Sequence, residues 1–218
     1  MHFTARKKDL LCPLCKNPAS FLLRFRDRDY YRCSLCGGIF LDPVDHLPPQ
    51  EEKARYLEHN NDINDERYRR FVRPVTDAAL RDFAPEHSGL DFGAGTGPVI
   101  TEILRENAYS PEIYDPFFHR DPRLLSRHYD YIICSEVIEH FHDPYKEFSR
   151  LAVMLKPGGA LYCMTELYED DTDFANWYYK NDPTHVFFYH KDSLEWIKEK
   201  ILPGVLQIQG RLIIFRKF

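Results

Sequence analysis

Apolar runs alternate with amphipathic segments over the second half of the chain, and this alternation predicts its fold class. Three runs have the length expected of buried strands: residues 89–92, 129–134 and 160–165. Three segments carry apolar residues at helical spacing: residues 98–107, 148–155 and 192–201. Alternating strands and helices favour a doubly wound α/β sheet of mostly parallel strands. Two further runs around Gln209 and Gly210 predict a closing antiparallel pair.

The pattern before residue 84 is different. Two short apolar strands flank a charged turn at residues 26–29, and a proline-containing linker then leads into charged segments with helical periodicity. We therefore predict three parts, which are a small β domain over residues 1–45, a helical linker over 46–83 and the α/β core over 84–218.

Four of the six cysteines form two C-x2-C pairs with 17 residues between the pairs. They are Cys12, Cys15, Cys33 and Cys36. Two residues between cysteines let both sulfurs face one tetrahedral ion, and two such pairs complete a closed structural zinc site. Disulfides are disfavoured in a reducing compartment, and a redox-active pair is disfavoured because there are two pairs. The sequence predicts a zinc ribbon whose metal contributes to folding.

Composition limits the classes of function. A formal net charge of -5 argues against a protein whose whole surface binds nucleic acid. The ribbon is locally basic, so it could contact RNA or a protein, or form a solvated surface balanced by Asp27 and Asp29. We see neither an apolar run of about 18 residues nor a secretory signal, so we expect a cytoplasmic protein without membrane contact.

The stretch Leu90-Asp91-Phe92-Gly93-Ala94-Gly95-Thr96-Gly97-Pro98 ends a predicted strand in a glycine-rich turn and begins a helix. Glycine allows backbone to approach a ligand, and helix N-terminal amides attract negative charge. The G-x-G-x-x-G register of dinucleotide enzymes does not fit, because its third glycine would fall at Pro98 or Ile100. Asp115 ends the next short strand, where a carboxylate can accept both ribose hydroxyls. These features predict a nucleoside pocket.

From about Asp82 to its end, the chain resembles class I S-adenosylmethionine (SAM)-dependent methyltransferases. The resemblance rests on the glycine loop, Asp115, the segment Glu136-Val137-Ile138-Glu139-His140, the turn Leu155-Lys156-Pro157-Gly158-Gly159 and the pair Thr184-His185. It implies a Rossmann-like, mostly parallel seven-stranded sheet with an antiparallel last strand. The third strand could be degenerate, since only Leu124 and Leu125 suggest it. The ribbon ahead of this core resembles that of a zinc-ribbon subgroup of the family.

The resemblance also implies how the cofactor SAM is held. In the family the glycine loop passes under the methionine part, an acid at the position of Asp91 helps hold its ammonium group, and an N-terminal helical segment often covers the cofactor. We therefore expect residues 46–83 to form a lid. The expected cofactor-binding residues are Asp91, Gly93, Ala94, Gly95, Gly97, Asp115, Pro116, Ser135 and Glu136.

If Glu136 opened a short helix, then Glu136, Glu139 and His140 would share one face. Two interpretations are open. In many family members this segment is structural and adjacent to the cofactor. In others, including ubiquinone-type O-methyltransferases and small-RNA 2′-O-methyltransferases, similar residues bind a divalent ion with a further histidine. The second-metal ligand set would then be Glu136, Glu139, His140 and His185.

Without such a metal, His185 is the candidate general base or substrate-orienting residue. The catalytic candidates are thus His185, His140 and Glu139. We expect methyl transfer from SAM to a small-molecule hydroxyl, which requires alignment of the reacting atoms and loss of a proton. A second hypothesis is a ribbon that binds RNA or protein beside a non-catalytic, cofactor-sensing core. A dinucleotide oxidoreductase is the third, and the failed glycine register disfavours it.

Overall fold

The computed structural model describes residues 10–58 and 62–218. Residues 1–9 of the predicted ribbon, which include its basic residues Arg6, Lys7 and Lys8, and residues 59–61 of the predicted linker lie outside the described residues. The chain begins with four short strands: β1 (Leu10–Leu11), β2 (Pro18–Phe25), β3 (Arg28–Cys33) and β4 (Ile39–Leu41). The turn between β2 and β3 is tight because Arg26 and Asp27 both adopt left-handed backbone angles, with φ of 49° and 62°. The predicted strands around this charged turn are therefore confirmed.

Two helices follow, α1 (Pro49–Leu57) and α2 (Glu66–Asp82). Pro49 suits the first turn of α1, where a missing N–H breaks no hydrogen bond. The side chain of Asp65 caps α2 by accepting from the Arg67 amide. Along α2 the buried residues recur at helical spacing, so one face of the helix packs against the core: Val72, Val75, Thr76, Ala78 and Ala79.

The remaining elements build the α/β core. In chain order they are β5 (Gly89–Phe92), α3 (Val99–Glu106), β6 (Glu112–Tyr114), β7 (Tyr129–Ser135), α4 (Pro144–Met154), β8 (Leu155–Met164), β9 (Phe187–Phe188), α5 (Lys191–Lys200), β10 (Gly204–Gln209) and β11 (Leu212–Lys217). The core sheet has the order β10-β11-β8-β7-β5-β6. Strands β6, β5, β7 and β8 are parallel, and β11 is antiparallel to both β8 and β10. The predicted fold class is confirmed.

In the described part of the chain this sheet has six strands rather than the seven of the expected pattern. The segment between β6 and β7 instead forms a 3₁₀ turn, Pro122–Ser126. Pro122 has no N–H for a strand ladder, and the Asp121 side chain caps the turn by accepting from the Arg123 amide. Leu124 is buried in the core from this turn. The third strand is therefore absent here.

Helices cover both faces of the core sheet, which explains why β7 and β8 read as continuous apolar runs. On one face, Val72 and Val75 of α2 share an apolar cluster with Ile133 of β7. On the other, Phe148 of α4 lies in a cluster with Ile132. No helix in residues 10–58 and 62–218 has the length and apolar character needed to cross a bilayer.

Strand β9 joins the N-terminal sheet rather than the core sheet. That sheet has the order β1-β2-β3-β4-β9, with every neighbouring pair antiparallel. The cysteines Cys12 and Cys33 also belong to the apolar cluster that contains Phe148 of α4. A strand from the predicted core thus completes the sheet of the predicted ribbon.

Candidate cofactor and acceptor site

A cavity of about 640 Å³ opens beside the carboxyl ends of β5, β6 and β7. This volume is within the usual range for small-molecule sites, about 300–1,000 Å³. The end of a parallel sheet is also where ligands bind in doubly wound folds. All nine residues predicted to bind the cofactor line the cavity, as do His140 and His185. Glu139 is fully buried behind the lining.

The glycine loop after β5 forms one wall of the cavity. Gly93 and Gly95 have φ of 82° and 65°, a region that favours glycine. A Cβ on Gly93 would lie 2.5 Å from a methyl group of Val137, so the loop also needs glycine for its close packing. The Gly93 amide donates to the Tyr114 carbonyl at 2.7 Å, which ties the loop to the end of β6.

Asp115 holds this loop from the end of β6. One carboxylate oxygen accepts from the Gly95 amide at 2.9 Å. The other accepts from the amides of Phe117 and Phe118 at 2.8 and 3.0 Å. One carboxylate therefore organises both the glycine loop and the turn after β6, while it lines the cavity.

Asp91 is the acidic residue before the glycine loop. It is buried, and the Thr101 hydroxyl of α3 donates to its carboxylate at 2.8 Å. Burial raises the pKa of Asp91 to about 6, although the hydrogen bonds from Thr101 oppose this effect. Its charge is therefore sensitive to mildly acidic pH.

Two polar atoms at the end of β7 have no hydrogen-bond partner among the described residues. They are Oγ of Ser135 and Oε1 of Glu136, both buried in residues that line the cavity. Buried polar groups normally have partners, so these atoms are suited to a polar ligand. Together with the glycine loop and Asp115, they fit a nucleoside cofactor carrying charged and hydroxyl groups.

Glu136 does not open a helix, so the condition under which it would share one helical face with Glu139 and His140 is not met. Glu136 has φ of 53°, its amide donates to the Met164 carbonyl at 2.7 Å, and the following 3₁₀ turn covers Ile138–His140. Its carboxylate pairs with Arg211 at 2.5 Å, and Arg211 also pairs with Glu166. Burial and the nearby Glu139 carboxylate raise the pKa of Glu136 to about 8, while Arg211 opposes them.

Glu139, His140 and His185 form a compact cluster whose ligand-type atoms all lie within 4.8 Å of one another. Nδ1 of His140 is 2.9 Å from the Thr184 carbonyl, and Nδ1 of His185 is 2.7 Å from the Tyr179 carbonyl. Because a carbonyl can only accept, each Nδ1 donates its proton to that carbonyl, and in the neutral form of each ring Nε2 is then the nitrogen without a proton.

Glu139 completes this cluster from inside the protein. The Tyr179 hydroxyl donates to one of its oxygens, and the other, Oε2, has no hydrogen-bond partner in the part of the chain that the structure describes. Burial raises the pKa of Glu139 to about 7, and the Tyr179 hydrogen bond opposes this. Carboxylate and imidazole donors at this spacing are chemically suited to a divalent ion. Glu136, directed at Arg211, lies outside this group.

The four predicted zinc ligands also come together. The sulfurs of Cys12 and Cys36 are 3.6 Å apart, those of Cys15 and Cys33 are 3.3 Å apart, and all four lie within 4.8 Å of one another. None forms a disulfide. Tetrahedral zinc with bonds of about 2.3 Å would separate its sulfurs by about 3.8 Å. The cluster therefore fits a structural zinc ion.

The family model described as "Methyltransferase domain" matches residues 63–201. The chain belongs to this methyltransferase family. This match confirms the predicted family and the predicted enzyme class, a methyltransferase. The matched residues include the glycine loop, Asp115 and the Glu139-His140-His185 cluster.

Solved methyltransferase structures share the fold at low sequence identity. An O-methyltransferase family protein from Burkholderia thailandensis is 16% identical, with a TM-score of 0.56, over 76% of this chain and 61% of that chain. The 1,6-didemethyltoxoflavin-N1-methyltransferase of the same organism, solved with its substrate and S-adenosylhomocysteine, is 15% identical. Its TM-score is 0.53, over 90% of this methyltransferase and 98% of that chain.

Curated relatives match a shorter segment. The ubiquinone biosynthesis O-methyltransferase of Coxiella burnetii is 24% identical over 89 residues. The match covers 39% of this methyltransferase and 38% of that enzyme, so the chain spans well under half the length of the curated relatives it matches.

Three residues beside the methyltransferase site come from distant parts of the chain. Tyr56 of α1 contacts the ring of His140 at 5.2 Å between centroids and lines the cavity. Arg211 reaches Glu136 from the hairpin between β10 and β11. The Tyr179 hydroxyl donates to Glu139 from the 3₁₀ turn Tyr178–Asn181. These residues meet His140, Glu136 and Glu139 through contacts between distant parts of the chain.

Proposed function

We propose that this methyltransferase holds SAM against its glycine loop and methylates a hydroxyl of a small molecule bound next to His140 and His185. The main observation in support is that one cavity is lined by the glycine loop, by Asp115 and by both histidines. When bound, SAM supplies an electrophilic methyl group on a sulfonium centre. Asp91 would pair with its ammonium group, and Asp115 with its ribose.

The lining from α1, α2 and His185 forms the acceptor end in this proposal. Tyr56, Tyr68 and Phe71 supply aromatic surface there. The lysine and arginine side chains among the described lining are Lys146 and Arg150, both from α4, and Arg150 pairs with Glu147. Because α1 and α2 contribute the carboxylate of Glu52 and no lysine or arginine to the described lining, this lining supports a neutral or cationic acceptor over a phosphate ester.

Loss of a proton from the acceptor hydroxyl needs a base or a metal. The close grouping of ligand-type atoms from Glu139, His140 and His185 supports a divalent-metal site, as do the carbonyl oxygens that hold Nδ1 of each histidine. Such an ion supplies a Lewis acid that lowers the pKa of a coordinated hydroxyl. In its absence, Nε2 of His185 would accept the proton directly. Glu136 instead belongs to the cofactor side in this proposal.

Contact of the ribbon with RNA or a protein has less support. Lys16, Arg24 and Arg32 each pair with an acid of the same chain, so much of the local positive charge is neutralised. The division of the chain into a ribbon, a helical lid over residues 46–83 and an α/β core stays a prediction. Tyr56 and Tyr68, which line the cavity from those residues, support it.

The proposal is tested in two steps. Calorimetry with S-adenosylhomocysteine should give micromolar binding, and its absence from folded protein would refute the cofactor site. A panel of small phenols, alcohols, amines and carboxylates is then incubated with radiolabelled SAM. We expect label transfer to a hydroxyl acceptor. Transfer only to amines would refute O-methylation.

A titration with Mn²⁺ separates the two roles of the cluster. If the cluster binds metal, Mn²⁺ should bind wild type and lose affinity at least tenfold on His140→Ala or His185→Ala. If activity is unchanged by chelators and only His185→Ala abolishes it, His185 acts as the base. Glu166→Gln, which changes an Arg211 partner outside the cluster, is the matched control.

A further inference from the structure

The segment that carries His185 is attached to the cysteine ribbon. β9 begins two residues after His185 and pairs with β4, with Ile39 opposite Phe188. The Leu41 amide donates to the Val186 carbonyl at 2.9 Å, so the ladder extends to the residue next to His185. The backbone position of His185 is therefore set by a strand of the ribbon.

Side-chain packing makes the same connection. Gly38 lies so close to the Phe187 ring that a Cβ at this position would be 2.4 Å from Cζ. The Tyr30 ring of β3 contacts Phe188, with centroids 6.1 Å apart, and Phe188 contacts the His185 ring at 6.3 Å. Phe187 and Phe188 are fully buried. In a close-packed interior a shift of the ribbon is therefore transmitted to His185.

Hydrogen bonds from the ribbon reach both sides of His185. Before it in the chain, the Arg28 guanidinium donates to the carbonyls of Lys180 and Pro183 at 3.4 and 3.3 Å. After it, the Ser193 hydroxyl at the start of α5 donates to the Cys36 carbonyl at 2.7 Å. Residues 180–193 are thus held against the ribbon at both ends.

From these contacts we propose that the cysteine ribbon is a positioning element of the acceptor site, acting through the β4–β9 pairing and Arg28. This rests on the proposed function only where it assigns His185 to the acceptor site. A shift of the ribbon should change the orientation of the His185 ring. Nδ1 of His185 donates to the Tyr179 carbonyl, and Tyr179 shares an aromatic cluster with Tyr30 and Phe188. A metal on the four cysteines would then stiffen the acceptor side of the cavity.

The test uses the full chain with the variants Arg28→Met and Gly38→Ala. Their controls are Arg24→Met, whose arginine pairs with Asp29 at the surface, and Leu35→Ala, which is 55% exposed in the second cysteine pair. Amide exchange of residues 186–189 and the ring nitrogens of His185 are followed by NMR, and S-adenosylhomocysteine affinity by calorimetry. We expect exchange to be at least tenfold faster and the His185 tautomer to become mixed in both variants, with affinity within about twofold of wild type.

Each outcome has a definite meaning. If Gly38→Ala does not fold, Arg28→Met alone tests the proposal. If Gly38→Ala folds, adding Phe187→Leu makes room for the new Cβ and should restore slow amide exchange of residues 186–189. Wild-type exchange and a wild-type His185 tautomer in folded Arg28→Met would overturn the proposal. A perturbed His185 with unchanged turnover of the acceptor found by screening would support the positioning link and refute the role of His185 in the proposed function.

Discussion

Replacing Asp115 tests the cofactor site most directly. Its carboxylate already accepts three backbone N–H bonds, from Gly95, Phe117 and Phe118. An ionised carboxylate offers about four lone-pair sites, so about one remains for a ligand. The direct loss in Asp115→Ala is thus one hydrogen bond to a charged group, about 1.5–3 kcal/mol.

At about 1.4 kcal/mol per factor of ten, this loss weakens S-adenosylhomocysteine binding about 10- to 100-fold. Loosening of the glycine loop adds to the effect, because the Gly95 amide loses its acceptor. Asp115→Asn keeps one carbonyl oxygen and should lie between wild type and Asp115→Ala.

Calorimetry with S-adenosylhomocysteine measures the change, with thermal unfolding as the check on folding. Asp121→Ala is the matched control, because Asp121 follows in the same connection between β6 and β7 and pairs with Arg123 rather than lining the cavity. If folded Asp115→Ala binds within threefold of wild type while the control also binds normally, Asp115 does not contact the cofactor and the reasoning fails.

Three further predictions follow from the same contacts. Because the pKa of Asp91 is raised to about 6, S-adenosylhomocysteine affinity should fall up to tenfold per pH unit below pH 6, as Asp91 loses its charge, and calorimetry on Asp91→Asn should give weak binding that lacks this fall below pH 6. Metal analysis should find about one zinc per chain, with Cys36→Ser losing zinc and unfolding at a lower temperature, whereas Cys163→Ser should keep its zinc. Phe148→Ala should lower the free energy of unfolding by about 3–5 kcal/mol in denaturant titrations, since Phe148 is fully buried; a loss under 1 kcal/mol would contradict its place in the core.

The cofactor half of the cavity was predictable because its residues are close in sequence. The glycine loop and Asp115 follow consecutive strands, and a strand that breaks into glycines before a helix has few alternative conformations. The weakness of the third strand was also predictable, because only Leu124 and Leu125 suggest it in the sequence.

The acceptor half was less predictable because long-range contacts form it. Spacing alone would place Glu136 beside Glu139 and His140 if a helix began there, whereas the Glu136 amide donates to the carbonyl of Met164 in β8. That bond keeps Glu136 at the sheet edge, where Arg211 of the final hairpin reaches it. No periodic pattern in the sequence indicates that Met164 and Arg211 are the partners of Glu136. The two-residue strand β9 is likewise too short to be distinguished from any other apolar pair.

This difference between the two halves has a consequence for acceptor specificity. In the proposed division of the cavity, the cofactor half is built by the ends of β5, β6 and β7 and is specified by one contiguous stretch of sequence. The proposed acceptor half combines α1, α2, the Ile138–His140 turn, His185 and, through β9, the ribbon. Changes in any of these elements can reshape the acceptor end while Asp91 and Asp115 keep their places. Methyltransferases that share only the core should therefore differ in acceptor, and grafting the ribbon with residues 180–193 should transfer specificity better than grafting either piece alone.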